Sequence, residues 1–385
     1  MCEKSYFLLR HEPYEVLRSV KTYHCDVCES LIFFENTQCL SCGSALAYLP
    51  SHSTMVSLGK NGELWNRLGS KGQQEQFKLC LNYAEYGVCN WALPGSDPES
   101  LCSSCRLTQV IPNLDDAGRD AWAKLEAAKR RLVYGLQYLK LPLQCRRQDA
   151  QNGLEFRFLS DSVDADGDQS RVFTGHDNGL ITINVAEADD VYRETQRQRH
   201  REPYRTLLGH FRHEIGHYYW DRLIENSVYL DQFRALFGDD RLDYQESLDR
   251  HYEAGAPADW PDRYVSAYAS MHPWEDWAES WAHVMHMVDA LETSRWMGLS
   301  VSPRRADEPS LPAPVGLLQP RFRDFDTLIT EWVALMYVLN NLSRGLGLPD
   351  AYPFVLSDTV VQKLRFICTT MDGAASGSLR PRQLS

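Results

Sequence analysis

The cysteines are the feature that most limits what this chain can fold into, because nine of the eleven lie before residue 106. Two Cys-x-x-Cys pairs, Cys25/Cys28 and Cys39/Cys42, flank a short apolar segment at residues 31–34. In a reducing compartment, two such knuckles around a hairpin indicate a four-thiolate zinc ribbon rather than a disulfide framework. The sequence therefore predicts a small domain that a structural zinc ion stabilises.

Four more cysteines form a looser set later in the same region. Cys102 and Cys105 make a third Cys-x-x-Cys pair, whereas Cys80 and Cys89 are too far apart to form a knuckle of their own. Four thiolates are sufficient for a closed structural zinc site. We therefore expect these four cysteines to bind a second structural zinc ion.

The charge of this cysteine-rich region argues against nucleic acid as its partner. Residues 1–113 contain nine Lys and Arg against eleven Asp and Glu, a net charge of −2, and the whole chain carries −12. Without a basic surface, the electrostatic contribution to phosphate binding is missing. The region is therefore expected to be structural or to bind a protein partner. No apolar run is long enough to suggest a membrane span.

The second informative motif is His213-Glu214-Ile215-Gly216-His217. Residues four apart share one face of a helix, so His213 and His217 can direct two imidazole nitrogens at one ion. Glu214, beside the first histidine, then reaches a water molecule rather than the metal. The spacing predicts a catalytic zinc site with a carboxylate general base, although such a short pattern also occurs by chance on surface helices.

A third ligand is predicted between residues 272 and 283, where Glu275 and Glu279 are four apart and share a helix face. Three tryptophans flank these acids, which predicts that the carboxylates are partly buried and need partners. We expect one carboxylate to bind zinc and the other to hydrogen-bond a ligand histidine. Glu275 is the favoured ligand and Glu279 the favoured support, and the reverse assignment stays open.

Residues 205–223, the Phe237-Gly238-Asp239 turn and residues 265–287 together resemble a bacterial family of zinc-binding metallopeptidases with an N-terminal zinc-ribbon domain. The similarity covers most of the chain up to about residue 300 and implies a zincin-like fold. It implies no particular substrate. The Glu-x-x-x-Glu helix is also similar to that of gluzincin peptidases such as anthrax lethal factor, over the two ligand helices only.

The gluzincin resemblance implies roles for individual side chains. It implies that Glu275 binds zinc, that Glu279 supports a ligand, and that Tyr268 stabilises the tetrahedral intermediate. A phenol in a dry site can donate such a hydrogen bond to a developing oxyanion. Tyr264 competes for this role. Three histidines are further candidates for proton transfer or substrate contact, although capping and packing are commoner roles for them: His210, His272 and His283.

The length of 385 residues predicts more than one domain. We expect an α+β protein with four parts. These are a cysteine-rich zinc-ribbon module at 1–113, a mainly helical zincin-like metallopeptidase domain with a small β-sheet at 114–301, a C-terminal helical extension at 302–372 and a disordered tail at 373–385. Residues 179–185 are predicted to form the strand before the zinc helix, which in gluzincin-like folds often pairs with an extended substrate.

These observations predict a zinc-dependent peptidase with one catalytic and two structural zinc ions, acting on a protein or peptide. The apolar stretch at the N-terminus is too short for a secretory signal, so a cytoplasmic location is expected. Two other functions stay open. One is a zinc-ribbon interaction protein whose His-Glu-x-x-His site is inactive or regulatory. The other is a zinc amidohydrolase that acts on a non-peptide bond.

Overall fold

The computed structural model describes residues 22–69, 75–163, 169–200, 202–313 and 324–377. Small sheets make up the cysteine-rich part of the chain, and helices dominate the remainder. The predicted α+β class is therefore confirmed. Among the described residues, no helix combines the length and the apolar character that crossing a membrane requires.

The cysteine-rich part is built from short antiparallel strands. They are β1 (Tyr23–His24), β2 (Leu31–Ile32), β3 (Ala45–Leu49), β4 (Thr54–Asn61), β5 (Leu64–Arg67), β6 (Gln76–Leu79) and β7 (Ala92–Pro94), with the one-turn helix α1 (Leu81–Ala84) after β6. β1 and β2 form a hairpin whose turn carries the first cysteine pair. The other five strands form one sheet in sequential order.

A four-stranded mixed sheet follows. This part of the chain contains β8 (Thr108–Val110), β9 (Glu155–Leu159), the hairpin strands β10 (Ser162–Val163) and β11 (Gln169–Ser170), β12 (Gly175–Asp177) and β13 (Leu180–Asn184). The sheet order is β12-β13-β9-β8. Side chains alternate along a strand, so Phe156 and Phe158 of β9 and Ile181 and Ile183 of β13 all enter the core.

Two sequence expectations change with this sheet. β13, the strand that gluzincin-like folds often use as a substrate-pairing edge, is bordered by β12 and β9, so the edge strands of this sheet are β12 and β8. β8 lies inside the predicted cysteine module but pairs with β9 of the following domain. The boundary expected at residue 113 therefore does not separate the two sheets.

The helices that follow are α2 (Asp116–Tyr138), α3 (Asp190–His200), α4 (Leu207–Leu223), α5 (Leu230–Phe237), α6 (Tyr244–Ala254), α7 (Trp260–Arg263), α8 (Pro273–Trp296), α9 (Phe325–Gly345) and α10 (Asp358–Ala375). α10 continues through Gly373, so the disordered tail expected from residue 373 begins too early. A Cβ atom at Gly373 would lie 2.7 Å from the Tyr229 hydroxyl, which shows how closely α10 packs there. Residues 378–385 lie outside the described residues.

Helices α4 and α8 cross at Gly216, the glycine of the His-Glu-x-x-His motif. A Cβ atom there would lie 2.9 Å from the Ala278 Cα atom, so only glycine allows this approach. The Trp277 indole nitrogen donates a hydrogen bond of 2.9 Å to the Gly216 carbonyl oxygen. The ring of Trp281 stacks on Tyr219 at 4.9 Å. These contacts fix the two helices against each other and bring their polar faces together.

Candidate active site

Helix α4 presents the two motif histidines on one buried face. Thr206 caps the helix, because its hydroxyl accepts a hydrogen bond of 3.0 Å from the Gly209 amide. The Nε2 atoms of His213 and His217 lie 3.2 Å apart and face each other. Two zinc ligands at about 2.1 Å in a tetrahedral site would lie about 3.4 Å apart, which is close to this spacing.

Helix α8 supplies the third donor from its first turn. His272 caps the helix through Nδ1, which accepts a hydrogen bond of 3.0 Å from the Trp274 amide. Glu275, only 2% exposed, then points at both rings. Its Oε2 atom lies 2.9 Å from His213 Nε2, and its Oε1 atom lies 3.4 Å from His217 Nε2.

The donor set formed by His213, His217 and Glu275 fits a divalent cation. Their ligand atoms all lie within 4.8 Å of one another. Burial disfavours charge on His213, but hydrogen bonds from Glu275 and Glu279 outweigh it and raise the pKa of this imidazole well above its ordinary value. Burial likewise opposes charge on Glu275, yet the charges of His217 and His213 hold its pKa well below the usual range. A buried carboxylate held among imidazoles is the environment that a zinc ion satisfies.

Glu279 lies one turn after Glu275 and supports the first histidine from behind. Its Oε1 atom lies 2.8 Å from His213 Nδ1, the nitrogen that faces away from His217. The Ser266 hydroxyl donates a hydrogen bond of 2.8 Å to the other oxygen of Glu279. Glu275 therefore lies closest to the facing nitrogens of both histidines and Glu279 lies behind His213, so Glu275 stays the predicted ligand and Glu279 the predicted support.

His217 has aromatic neighbours instead of a carboxylate behind it. The ring of Trp274 lies 3.9 Å away, and that of His176 lies 6.4 Å away and nearly parallel. His176 belongs to β12 and accepts a hydrogen bond of 2.8 Å from the Gly179 amide on its Nε2 atom. Burial, with the charges of His217 and Arg146, lowers the pKa of His176 to about 3 and keeps its ring neutral.

The motif glutamate is buried but not used by the fold. Glu214 is inaccessible to solvent over most of its surface, and its Oε2 atom has no hydrogen-bond partner among the described residues. Buried carboxylate oxygens without partners are costly and so are typical of functional sites. The position beside His213 leaves this oxygen available to accept a proton.

The structure separates the remaining sequence candidates. Tyr268 begins a short 3₁₀ turn, Tyr268–Ser270, and its ring lies 6.2 Å from that of His213. Tyr264 instead packs under the Lys363 ammonium, 4.4 Å from its ring centre. The three candidate histidines are engaged elsewhere: His272 caps α8, His283 contacts the Tyr352 hydroxyl at 2.5 Å, and His210 lies 3.4 Å from Glu187.

Sequence reasoning missed Tyr244, the first residue of α6. Its hydroxyl donates a hydrogen bond of 2.9 Å to Glu275 Oε1. Burial, followed by the charges of Glu275 and Tyr244 and a hydrogen bond with Tyr244, raises the pKa of Tyr268 well above its ordinary value. The only local signal for Tyr244 was its place after Asp243, which caps α6 by accepting from the Glu246 amide. Spacing along the chain did not link it to the zinc motif.

Both predicted cysteine sets converge in space. The sulfur atoms of Cys25 and Cys42 lie 3.6 Å apart, as do those of Cys28 and Cys39. In the second set, the sulfur atoms of Cys89 and Cys102 lie 3.9 Å apart. Thiolates at about 2.3 Å from a tetrahedral zinc ion would lie about 3.8 Å apart. None of the described cysteines forms a disulfide. The second set is completed by two more buried residues: Cys80 and Cys105.

Comparison with known proteins finds two family models along the chain. A family model described as "putative zinc-binding metallo-peptidase" matches residues 118–370, and a zinc-ribbon domain model matches residues 22–116. Uncharacterized proteins of Mycobacterium tuberculosis and Mycobacterium bovis are 43% identical over 358 residues, which is 92% of this chain and 96% of each relative. No solved structure matches the chain.

Proposed function

Because the chain belongs to this family of putative zinc-binding metallo-peptidases, we propose that it is a zinc-dependent peptidase. One observation carries the proposal: His213, His217 and Glu275 converge in a buried site, with the unpartnered carboxylate of Glu214 beside them. A structural zinc site would not need such a carboxylate, whereas hydrolysis requires a general base. The family match confirms the resemblance found in the sequence. The peptidase activity is our proposal.

The residues divide the chemistry as follows. Zinc, when held by these three side chains, acts as a Lewis acid that activates water and polarises a carbonyl group. Glu214 accepts the proton of the attacking water on its free Oε2 atom and delivers it to the leaving amine. Glu279 accepts a hydrogen bond from the His213 Nδ1–H group and so fixes the tautomer of this ring. Tyr268 is the phenol to which the gluzincin resemblance assigns oxyanion stabilisation.

The edge strand β12 is the surface on which we place an extended peptide. It pairs with β13 on one side only, and its His176 stacks beside the ligand His217. A peptide that adds to this edge would use backbone hydrogen bonds and lie along the strand that carries His176. The substrate class that follows is an extended polypeptide segment, because adding to the edge of a sheet requires backbone groups that are not already paired.

The decisive experiment compares the wild-type protein with Glu214→Gln in native cell lysate. We expect new peptide termini only in the wild-type digest, because Gln cannot accept the proton. Zinc content measured by mass spectrometry should equal three ions per chain in both proteins, one catalytic and two structural. Identical termini in both digests would contradict the proposed general base. Asp231→Asn, an acid-to-amide change on α5, serves as the matched control.

A second candidate function, partner binding by the first zinc ribbon, is favoured by its apolar surface. Phe33 is 70% exposed and Leu40 is 94% exposed. This ribbon packs through Phe34 on Tyr134 of α2, whose hydroxyl is bonded to Glu292. Glu292 is seventeen residues after Glu275 on α8, a distance of about 25 Å along the helix. The ribbon therefore sits far from the ligands and is better suited to recruit a protein than to cover the cleft.

Recruitment predicts that the apolar ribbon surface affects protein substrates and not short peptides. Replacing Phe33 and Leu40 together by Ser should lower the cleavage rate of a protein substrate found in the lysate comparison. It should leave the cleavage of a short peptide with the same cut site unchanged. If the variant cleaved both substrates at their wild-type rates, or lost activity equally on both, the ribbon would be excluded as a recruiting surface.

A further inference from the structure

The helical insertion between the two ligand helices contributes a side chain to the site itself. Tyr244 starts α6 and donates its hydroxyl to Glu275 Oε1 at 2.9 Å. The same oxygen lies 3.4 Å from His217 Nε2. The phenol therefore approaches the face of the carboxylate that is turned toward the histidines, not its outer side.

The structure holds Tyr244 in this place from two directions. The Asp243 side chain caps α6 by accepting a hydrogen bond of 2.8 Å from the Glu246 amide. The Nε2 atom of His272 lies 3.1 Å from the Leu242 carbonyl oxygen and donates to it, and its ring lies 5.5 Å from that of Tyr244. Since His272 also caps α8, one imidazole fixes both the start of the ligand helix and the segment that carries Tyr244.

We propose that Tyr244, and not the Tyr268 to which the gluzincin resemblance assigns the role, donates the hydrogen bond that stabilises the oxyanion; this assignment rests on the proposed peptidase function. Tyr244 keeps 37% of its surface exposed, whereas Tyr268 is half-buried. The exposed phenol already points at the place where the metal ligands converge, and a substrate oxygen entering there can take over its hydrogen bond from Glu275.

A purely structural reading of this contact makes a different prediction. If Tyr244 served only to hold the Glu275 carboxylate in position, then removing its hydroxyl would weaken zinc binding, as loss of an outer hydrogen bond to a ligand usually does. If it stabilises the oxyanion, zinc affinity should stay the same and the chemical step should slow. Zinc affinity and turnover therefore separate the two roles.

The test uses Tyr244→Phe in the full-length, zinc-loaded protein, with Tyr268→Phe and the distant exposed Tyr337→Phe of α9 as matched variants. Turnover is followed on a peptide from the Glu214→Gln comparison, zinc affinity by competition with a chromophoric chelator, and binding of a phosphoramidate peptide, which mimics the tetrahedral intermediate, by calorimetry. We expect Tyr244→Phe to lower kcat about 100-fold with KM and zinc affinity unchanged. Phosphoramidate affinity should fall by a similar factor.

The expected order of effects distinguishes the possible outcomes. Tyr268→Phe should cost less than Tyr244→Phe, and Tyr337→Phe should cost nothing. Wild-type kcat in Tyr244→Phe, or a loss of zinc affinity that accounts for its lower kcat, would overturn the assignment while leaving the peptidase intact. Failure of the wild-type protein to outperform Glu214→Gln would instead overturn the peptidase and the donor role with it.

Discussion

Each of the two cysteine clusters consists of four thiolates, but the surroundings of the two clusters differ strongly. In the first, Cys42 is exposed and Cys28 is half-buried; Cys25 and Cys28 lie in the turn between the two-residue strands β1 and β2, and Cys39 and Cys42 follow β2. In the second, Cys80, Cys89, Cys102 and Cys105 are all buried. One chemical motif thus stabilises a surface unit in one place and an internal junction in the other. Burial, rather than ligand identity, determines how much of the fold depends on each cluster.

The second cluster joins the cysteine module to the metallopeptidase domain through α2. The Cys105 sulfur contacts Glu126 Oε2 at 3.8 Å, and Glu126 in turn is paired with Lys129 at 2.9 Å. Arg130 donates a hydrogen bond of 2.6 Å to the Val88 carbonyl oxygen, between the cluster's first two cysteines in space. Burial disfavours the Arg130 charge, but Cys89 and Glu126 outweigh it and raise the pKa of this guanidinium. The positive charge of Arg130 offsets the negative charge of the thiolates.

The largest expected effect comes from breaking the second cluster. Cys89→Ser should lower the free energy of unfolding by about 5 kcal/mol or more, because structural zinc binding contributes directly to folding. Cys42→Ser should unfold only the first hairpin and shift the main thermal transition by a few degrees. Circular dichroism melts measure both. Cys368→Ser, which alters a buried cysteine outside either cluster, controls for the loss of a thiol. Equal shifts for the first two variants would refute the comparison.

The same difference should appear in the order of zinc release to a chelator. We expect three phases, detected with a chromophoric zinc indicator: first the histidine and glutamate site, then the first cluster, and last the second cluster as the protein unfolds. His217→Ala should lack the first phase, and Cys42→Ser the second. Release from the second cluster before the first would contradict the role assigned to burial.

The local motifs could be predicted from the sequence because chain spacing alone fixes their geometry. His213 and His217 are one helical turn apart, and each Cys-x-x-Cys pair forms one knuckle. Tyr244 and His176 could not be predicted, since their approach to the ligands depends on how α6 and β12 pack against α8 and α4. The same limit explains β13, which had the pattern of a strand but no signal for its neighbours, and the continuation of α10 past residue 373.

An intermediate effect is expected from the charged contacts of the two clusters. Glu126 is fully buried with Lys129, and Glu126→Gln leaves that ammonium uncompensated, so we expect a loss of about 3 kcal/mol in the free energy of unfolding. Glu35, beside the first cluster, is mostly exposed and lies 3.9 Å from Arg131. Glu35→Gln should cost less than about 0.5 kcal/mol. Denaturant titration of both variants measures the difference. If Glu126→Gln cost less than Glu35→Gln, Glu126 would not stabilise the junction.

The smallest expected effect concerns one serine beside each cluster. The Ser57 hydroxyl lies 3.3 Å from the Cys25 sulfur and accepts a hydrogen bond of 3.0 Å from the Asp26 amide. Ser57→Ala should therefore weaken zinc binding by the first cluster about 10-fold and cost about 1 kcal/mol of stability. Ser104, between Cys102 and Cys105, has a buried hydroxyl with no partner among the described residues. Ser104→Ala should leave zinc retention unchanged or raise it slightly, because the substitution removes an unsatisfied polar atom. Chelator competition on both variants decides whether a neighbouring serine hydroxyl affects zinc retention only in the first cluster, the one with an exposed and a half-buried thiolate.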